Sequence, residues 1–413
     1  MAAPPPPSRS WAGLPVAFLH AILRRVPCPD DRRRACLVCR AWRAAVAGLP
    51  PTGPPRALPW LLLPKPGPDG STRAACCALG GCGVHRHLTV APRGARCFGS
   101  HDGAWLFLHF REPRSHQLLD VPTGRARELP AALLARTGLL AHDMAVLAAA
   151  LSSSPDDAGC VAVAIVASGQ DDPAAGAGAS AAVPPRPRRR RCVAFWRMGW
   201  PRAYEIAPPG AVAPLDAEDV VYHDGAFHLL LTHGEHVHVC TPALLPNGFR
   251  TDWEERRFHP GGRTDDGQHV RARYLVVSRG ELLMVVRFAD GPAPPWTTSS
   301  FKVFRATRWR MLFPELARSY PWAWSELDAL GGRMLFVGYG CSRSYEVDQY
   351  PGFKDGVYFL DDGKLYDEAV IFGNDDLRQY PCGDNGKWSQ GHVQRCFPRP
   401  DASDHSPPAW LLP

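Results

Sequence analysis

The sequence predicts a small all-α module followed by a large all-β domain, which we expect to be a β-propeller of six to eight blades. Residues 11–46 show helical periodicity, whereas the residues beyond 57 alternate between apolar and polar and are rich in tight-turn pairs. A Pro-rich stretch at 50–58 separates the two patterns. The 413 residues allow one small and one large domain, and the 43 prolines and 38 glycines favour turns over long helices.

Composition indicates an intracellular globular protein of the nucleus, the cytoplasm or both. Apolar residues make up 45% of the chain, enough for a substantial core, and no run of 18 apolar residues predicts a membrane span. Residues 1–10 lack an apolar signal-peptide core and are expected to form a disordered leader. The 13 cysteines are odd in number, so without a secretion signal we expect reduced thiols.

Positive charge is concentrated at the N-terminal end. Residues 1–64 hold nine arginines and two carboxylates, Asp30 and Asp31, which gives this part a net charge of +7. The whole chain is also +7, so the remainder is neutral overall. A basic module on a neutral body predicts an acidic partner for that module, which a nucleic acid or an acidic protein would satisfy.

Two amphipathic helices are predicted within residues 11–46. The first carries an apolar stripe with helical spacing, formed by Leu19, Ile22, Leu23 and Val26, and ends at Pro27 and Pro29. The second is capped by Asp30 or Asp31 and stops at Gly48; its apolar face contains Ala35, Val38, Cys39, Trp42 and Val46. Helices this short bury their stripes only by docking on something else.

Short β-type runs recur beyond residue 57, many of them beside Asp-Gly or Gly-Gly pairs that favour hairpin turns. The clearest runs are Trp105–Leu108, Phe227–Leu230, Tyr274–Val277 paired with Leu282–Val286 across Arg279-Gly280-Glu281, Met334–Val337 and Val357–Leu360. About 350 residues of hairpins fit four-stranded blades of about 40–45 residues each. Periodicity alone also allows a sandwich or a barrel, and the Ala-rich stretch 132–151 fits either a helix or a strand.

One low-complexity insert interrupts the β pattern at residues 168–191, and we expect a disordered loop between the strands Val161–Ala167 and Cys192–Trp196. The insert ends in a basic tract, Arg186 to Arg191 with Pro187. Such a tract is typical of a solvated charged loop, and it also fits a nuclear import signal or a nucleic-acid patch.

The helical module resembles an F-box. The similarity rests on Trp11-x-x-Leu14-Pro15 and on the run from Leu37 to Arg43, and we assign residues 11–50 to this domain. The resemblance implies docking on a Skp-type adaptor that is bound to a cullin and a RING subunit. The implied adaptor contacts are Leu14, Pro15, Leu19, Ile22, Leu23, Val38, Cys39, Trp42 and Arg43. Arg32, Arg33, Arg34 and Arg43 would complement an acidic adaptor surface.

The following domain resembles the KIB-type β-propeller that follows the F-box in many plant proteins. The similarity is carried by Leu58–Pro64, Gly99–Leu106, Leu118–Gly124 with Leu129-Pro130, Asp219–Gly225, Val357–Asp362 and Pro407–Pro413. Two turns depart from the family pattern, at Asp120-Val121-Pro122 and at Ala104, which separates Gly103 from Trp105. We therefore assign residues 51–56 to a linker and residues 57–413 to the propeller.

Other site types are weighed against these resemblances. A DNA-recognition helix needs polar side chains at base edges, whereas Val38, Cys39 and Trp42 suit a protein groove, so we expect no nucleic-acid partner. Two runs of His and Cys residues are candidate metal sites. They are His233, His236, His238 and Cys240, and Cys76, Cys77, Cys82, His85 and His87. The first run lacks a tetrahedral set of metal ligands and fits a strand face opposite the inward-pointing Val237 and Val239. The second run lacks a Cys-x-x-Cys pair and fits a loop. We therefore expect no metal and no cofactor.

The predicted function is non-catalytic. The sequence contains no phosphate-binding loop, no Gly-x-Ser-x-Gly elbow, no His-Glu-x-x-His and no RING-type Cys/His array. The resemblances imply a substrate-recognition subunit of an SCF-type cullin-RING ubiquitin ligase, with an unidentified target protein on the propeller and no membrane contact. Two alternatives stay open: a nucleic-acid-associated propeller scaffold, and a metal-dependent propeller enzyme with its site at His236 and His238.

Overall fold

The computed structural model describes residues 11–24, 26, 29–48, 59–66, 73–77, 86–88, 94–111, 114–170, 188–245, 248–260, 267–292, 296–308, 318–350, 353–373 and 379–413. They form a short helical module and a six-bladed β-propeller, which confirms the predicted fold class at the lower end of the predicted blade number. The predicted leader at 1–10 and the linker at 51–56 lie outside the described residues. None of the described helices is both long enough and apolar enough to cross a membrane.

The helical module has three helices, where the sequence analysis predicted two. A 3₁₀ turn at Trp11–Gly13 is followed by α1 (Val16–Arg24), α2 (Pro29–Ala35) and α3 (Arg40–Ala47). The predicted second helix is broken because the Leu37 and Val38 amides bond three residues back, and Cys39 is extended at φ −164°. The break returns α3 to α1, so that each helix buries its apolar side within the module.

The propeller consists of six sheets, which we number as blades I to VI. Blade I contains β1 (Trp60–Pro66), β2 (Arg73–Cys77), β3 (Arg86–Leu88) and β27 (Ala409–Leu411). Blade II contains β4 (Arg96–His101), β5 (Trp105–Phe110), β6 (Ser115–Asp120) and β7 (Ala126–Leu129). Blade III contains β8 (Ala132–Leu134), β9 (Leu140–Ala141), β10 (Ala145–Leu151), β11 (Val161–Gln170), β12 (Arg188–Arg197) and β13 (Arg202–Ile206).

The remaining blades continue the same arrangement. Blade IV contains β14 (Ala217–His223), β15 (Ala226–Leu231), β16 (Val237–Leu245) and β17 (Gly248–Arg256). Blade V contains β18 (His269–Ser278), β19 (Glu281–Ala289), β20 (Thr298–Arg308) and β21 (Trp322–Glu326). Blade VI contains β22 (Arg333–Phe336), β23 (Arg343–Glu346), β24 (Gly356–Phe359), β25 (Gly386–Ser389) and β26 (His392–Gln394), with a 3₁₀ turn at Val347–Gln349 and α4 (Glu368–Phe372) in its connections.

The ring is closed by pairing the two ends of the domain in one sheet. β27 pairs antiparallel with β1, with Trp60 opposite Leu411 and Leu62 opposite Ala409. Around the axis, the inner strands β27, β4, β10, β14, β18 and β23 contact one another in that order. The Tyr345 hydroxyl of β23 donates to the Pro413 carbonyl at 2.5 Å, which joins blade VI to blade I.

Three of the predicted hairpins are confirmed, at Asp102-Gly103, Asp224-Gly225 and Arg279-Gly280. The runs at Met334 and Val357 are strands, but β22 and β24 pair with each other in parallel, and Gly331-Gly332 joins blade V to blade VI. Asp224-Gly225 and Arg279-Gly280 form two-residue loops with φ of 49° and 78° in the first and 53° and 74° in the second. Both residues of such a loop need positive φ, which a β-branched residue resists. At Asp102-Gly103 the extra residue Ala104 lengthens the loop to three residues, because His101 pairs with Trp105.

In blade III the structure decides the Ala-rich stretch and corrects the bounds of the predicted insert. The Ala-rich stretch 132–151 contains β8, β9 and β10 and no helix. The insert is shorter than predicted, because β11 and β12 stay paired as far as Gln170 opposite Arg188. Arg190 lies 2.7 Å from the Glu205 carboxylate and Arg191 pairs with Asp216, so this end of the basic tract is part of the sheet. The middle of the insert, residues 171–187, lies outside the described residues.

The central channel is filled by the β22–β23 connection, residues 337–342, which we call the channel segment. It contacts all five other blades. The Val337 carbonyl accepts from the Trp410 indole of blade I at 3.0 Å, and Cys341 packs on Gly99 of blade II. Gly340 packs on Ala149 of blade III and its amide donates to Asp219 of blade IV, while the ring of Tyr339 lies 5.0 Å from that of Tyr274 in blade V. At the end of the channel away from the β4–β5 turn, the β24–β25 connection covers the core with Leu365 and Ile371.

A buried ionic network fixes that connection to blade V. The Arg287 side chain is fully buried and lies 2.8 Å from the Asp384 carboxylate and 3.1 Å from that of Asp362. Arg271 pairs with Asp361 at 2.6 Å and with Asp384 at 2.5 Å. Because its buried charges are paired and further hydrogen-bonded, the network stabilises one docking geometry of blades V and VI.

Candidate functional site

The helical module has its own complete core. Leu19 and Leu23 of α1 and Ala45 of α3 are fully buried, and Leu14, Ala35, Ala41, Trp42 and Val46 pack against them. The Pro15 carbonyl accepts from the Phe18 and Leu19 amides, so the Leu14-Pro15 pair starts α1 and orients it. The module therefore does not need an external partner to bury Leu19 and Leu23.

A second apolar set on the module faces outward. Its members are large apolar side chains with more than half of their surface exposed, namely Trp11 (70%), Val16 (52%), Phe18 (63%), Leu37 (75%) and Val38 (63%). We call these five residues the exposed apolar set. Single exposed apolar residues are ordinary, but five of them within 28 positions of one small module indicate a binding surface.

The structure places the predicted adaptor contacts in three burial classes: buried, half-buried and exposed. Leu19 and Leu23 lie in the module's interior, which corrects the prediction that they face a partner; their stripe faces α3. Leu14, Ile22, Cys39 and Trp42 are half-buried, and Pro15, Val38 and Arg43 are exposed.

Sequence reasoning missed Val16, Phe18 and Leu37 as candidate contacts. The available signal was that α1 is apolar outside its stripe as well, which in a helix on the surface of a small module predicts a second contact face.

The arginines of the module have two roles. The Arg32 guanidinium donates to the Val26 carbonyl at 2.6 Å and that of Arg43 donates to the Cys36 carbonyl at 3.3 Å, so both hold the chain at helix ends. Arg34 pairs with Asp31 at 3.2 Å, within α2, which places Asp31 in the first turn of the helix and not before it. Arg33, Arg34, Arg40 and Arg43 are exposed, so the surface keeps its positive charge.

The propeller has a polar cavity at the mouth of its channel, on the side of the β4–β5 and β14–β15 turns. Its volume is about 230 Å³. It is lined by Ser100, His101, Asp102, Phe107, Ala149, Ala150, Leu151, Ser152, Ser153, Val221, Tyr222, Gly340 and Arg343. These residues come from blades II, III, IV and VI, which only the closed ring brings together. The sequence analysis assigned no substrate-binding residue here.

The first candidate metal run does not form a site. The His236 Nδ1 accepts from the Phe258 amide at 3.1 Å, and His238 lies 3.9 Å from Glu255. Cys240 is fully buried in the core, and burial raises the pKa of its thiol to about 12, so it stays protonated. The expected inward orientation of Val237 and Val239 is confirmed, and the face with Cys240 is also buried, since a blade packs on both sides.

The second run is only partly within the described residues. Cys76 is buried in β2 of blade I, in the core it shares with blade VI, whereas Cys82 and His85 lie outside the described residues. In the part of the chain that the structure describes, no three His, Cys, Asp or Glu side chains converge as metal ligands would.

Comparison with known sequence families matches both parts of the chain. Residues 11–52 match the F-box domain and residues 82–382 match the KIB1-4 beta-propeller. The ring-closing strands β1 and β27 lie outside the second match. A comparison with curated proteins gives no match. The chain therefore belongs to the KIB1-4 beta-propeller family and carries an F-box domain ahead of its propeller.

Proposed function

We propose that the chain is the substrate-recognition subunit of an SCF-type cullin-RING ubiquitin ligase. The F-box docks on a Skp-type adaptor and the propeller holds the target protein. The main support is the exposed apolar set on a module whose own core is already closed. A module with its own core that still exposes Trp11, Phe18 and Leu37 presents an apolar surface suited to a partner protein.

The mechanism is proximity. A target held on the propeller has its lysines near a conjugating enzyme that is bound to the same complex, so transfer becomes effectively intramolecular. The chain itself supplies no covalent chemistry in this proposal. Its contributions are an apolar and positively charged docking surface at one end and a rigid, closed ring at the other.

Two groups of residues would carry the adaptor contact. Trp11, Val16, Phe18, Leu37 and Val38 would insert into an apolar groove, and Pro15 and the half-buried Leu14, Ile22, Cys39 and Trp42 would complete the surface. The exposed guanidinium groups, including that of Arg43, would steer an acidic adaptor. Leu19 and Leu23 would act indirectly by holding α1 against α3.

The test is co-purification of the full-length chain with a Skp-type adaptor. We expect the double variant Phe18→Ala, Val38→Ala to lose the adaptor, because buried apolar anchors typically cost about 2–4 kcal/mol each when truncated, roughly 30- to 1000-fold in affinity. Both side chains are exposed, so the module should keep its helical circular dichroism signal. Leu14→Ala with Pro15→Ala should also lose the adaptor, but it alters the start of α1 as well.

Leu245→Ala is the matched control, because it truncates an exposed apolar side chain on the propeller. Adaptor binding that survives in the Phe18/Val38 variant would contradict the proposal. A complete proposal also requires that the wild-type complex, supplied with cullin, RING subunit and conjugating enzyme, transfers ubiquitin to a bound target, whereas the double variant does not.

A further inference from the structure

The cavity at the channel mouth is a closed-ended, solvent-facing site. The channel segment forms its floor through Gly340, which packs against Ala149 and bonds Asp219 deeper in the channel. The far end of the channel is covered by the β24–β25 connection, which the ionic network around Arg287 holds in place. A ligand that reaches this cavity therefore enters from the side of the hairpin turns.

Most polar groups that line the cavity are already engaged. The Ser100 hydroxyl accepts from the Leu412 amide at 3.2 Å, and the Ser152 hydroxyl accepts from the Val161 amide at 3.0 Å. The His101 Nε2 and an Asp102 carboxylate oxygen are 2.9 Å apart, and His101, together with the charge of Arg343, lowers the pKa of the Asp102 carboxyl, which stays ionised. These groups shape the cavity, and the two hydroxyls, which accept here, keep their O–H for a second hydrogen bond.

Two donors at the cavity are different. Arg343 donates to the Ser342 carbonyl at 3.1 Å, and among the described residues no carboxylate lies within ion-pair distance of its guanidinium. Neighbouring arginines of blades V and VI do have such partners, for example Arg271, Arg279, Arg287, Arg333 and Arg395. Tyr222 is half-buried, and within the described chain its hydroxyl has no hydrogen-bond partner.

Size and charge restrict what these donors can bind. About 230 Å³ is below the roughly 300–1,000 Å³ of a cofactor or drug-sized pocket, and it suits a single side chain with a few waters. Arg343 is the one guanidinium of the lining and Asp102 its one carboxylate, so a monoanion bound to Arg343 leaves the site with one net negative charge, whereas a phosphate of nearly two charges leaves more and meets stronger repulsion from Asp102. A fork of N–H donors and a phenol hydroxyl match the two oxygens of a carboxylate.

We propose that this cavity receives one aspartate or glutamate side chain of the target protein, with Arg343 as its ionic partner and the Tyr222 hydroxyl as its second donor. The assignment rests on the proposed role of the propeller as the target-binding domain. It places the recognition point on the side of the ring where the β4–β5, β10–β11 and β14–β15 turns lie, and it makes an acidic residue part of the recognised segment.

The test uses the full-length chain bound to its adaptor, with arrays of random-sequence peptides as the probe. Each pool has one fixed central residue: Glu, Asp, Gln, phosphoserine or Lys. We expect the wild type to bind the Glu or Asp pool about tenfold better than the Gln pool, the range of one charge-assisted hydrogen-bond pair. Arg343→Gln should remove this preference, Arg343→Lys should keep part of it, and Arg343→Glu should shift it to the Lys pool.

Two further variants sharpen the result. Tyr222→Phe should weaken binding to the Glu pool a few-fold, because it removes one hydroxyl and no charge. Arg250→Gln is the matched control, since Arg250 is an exposed arginine of blade IV that pairs with Asp252 and does not line the cavity. Its pool preference should equal that of the wild type. Thermal unfolding of each variant verifies that the ring is intact.

Equal binding of the Glu and Gln pools by the wild type would overturn the proposal, as would a preference that survives in Arg343→Gln. Stronger binding of the phosphoserine pool would overturn the carboxylate assignment. Adaptor co-purification is measured on the same samples. A chain without adaptor contradicts the ligase role alone, whereas adaptor binding without the acidic preference contradicts the cavity assignment alone.

Discussion

The Asp219 carboxylate accepts a hydrogen bond from the Gly340 amide at 2.6 Å, which ties the inner strand of blade IV to the channel segment of blade VI. The same carboxylate accepts from the Leu275 amide of blade V at 2.7 Å and from the Val220 amide at 2.8 Å. Burial raises the pKa of Asp219 to about 8, while the three amides act in the opposite direction. One fully buried side chain thus joins three blades beneath the cavity.

Replacing Asp219 by alanine should destabilise the propeller severely. Three backbone amides would lose their acceptor in the interior, and each unpaired buried group costs about 1–3 kcal/mol, so we expect a loss of about 3 kcal/mol or more. Denaturant unfolding followed by tryptophan fluorescence measures the change. Asp252→Ala is the control, because Asp252 is an exposed carboxylate in a surface pair and should cost less than about 1 kcal/mol. Similar losses in the two variants would contradict the role given to Asp219.

Gly340→Ala should disturb the channel segment more than an equivalent change elsewhere. A Cβ at Gly340 would lie 2.6 Å from the Ala149 amide nitrogen, and the backbone has φ of +71°. Gly391→Ala is a matched control, because its φ is +80° but nothing lies within 4 Å of its Cβ position. Both variants share the conformational cost of about 1 kcal/mol, and the steric term of about 1–3 kcal/mol belongs to Gly340 alone. Equal melting temperatures would show that the segment is not packed against blade III.

The buried pair His109 and His116 should reduce stability as the pH drops from about 6.5 to about 4, against the opposite contribution of Asp219, whose raised pKa favours the folded chain as the pH falls. The His109 Nδ1 and His116 Nε2 atoms are 2.8 Å apart, His116 Nε2 accepts from the Val146 amide, and its Nδ1–H donates to the Pro130 carbonyl. Burial lowers the pKa of His116 to about 4. Burial also lowers the pKa of His109, and the neighbouring His116 and the charges of Arg96, Arg111 and Arg114 lower it further.

The pair lowers the free energy of unfolding as the pH falls, because both rings are neutral in the folded chain, whereas the unfolded chain takes up protons below about pH 6.5. His116 alone should account for about 3 kcal/mol over this window at 1.4 kcal/mol per pKa unit. Unfolding at a series of pH values is compared between the wild type and His109→Gln, and the difference between the two slopes measures the contribution of the pair. His233→Gln should not change the slope, since His233 is almost fully exposed. A slope that stays the same in His109→Gln would argue against the buried pair.

The two modules should separate within the residues 49–58. A chain of residues 57–413 keeps β1, so it should fold with a β-type circular dichroism spectrum, bind its target and compete with the full-length chain without supporting ubiquitin transfer. A chain of residues 67–413 lacks β1 and leaves β27 without a strand to pair with, so it should lose cooperative unfolding. Removing residues 409–413 should have the same effect. If residues 57–413 need residues 11–50 to fold, the two-module description is wrong.

The sequence by itself determined the features that depend on local chemistry. The change from helical to alternating period marks the boundary between the two modules, and pairs such as Asp224-Gly225 specify hairpins because so few residues accept positive φ. The F-box and the propeller could be predicted from short motifs, since each motif residue lies close to the next along the chain.

Only the tertiary structure decided which side chains face a partner. Leu19 and Phe18 are neighbours in one helix, yet the return of α3 buries the first and leaves the second exposed. Tyr222 and Arg343 are 121 positions apart, and no periodic pattern relates them. They line one cavity because the pairing of β27 with β1 closes the ring and brings the inner strands of all six blades around a single axis.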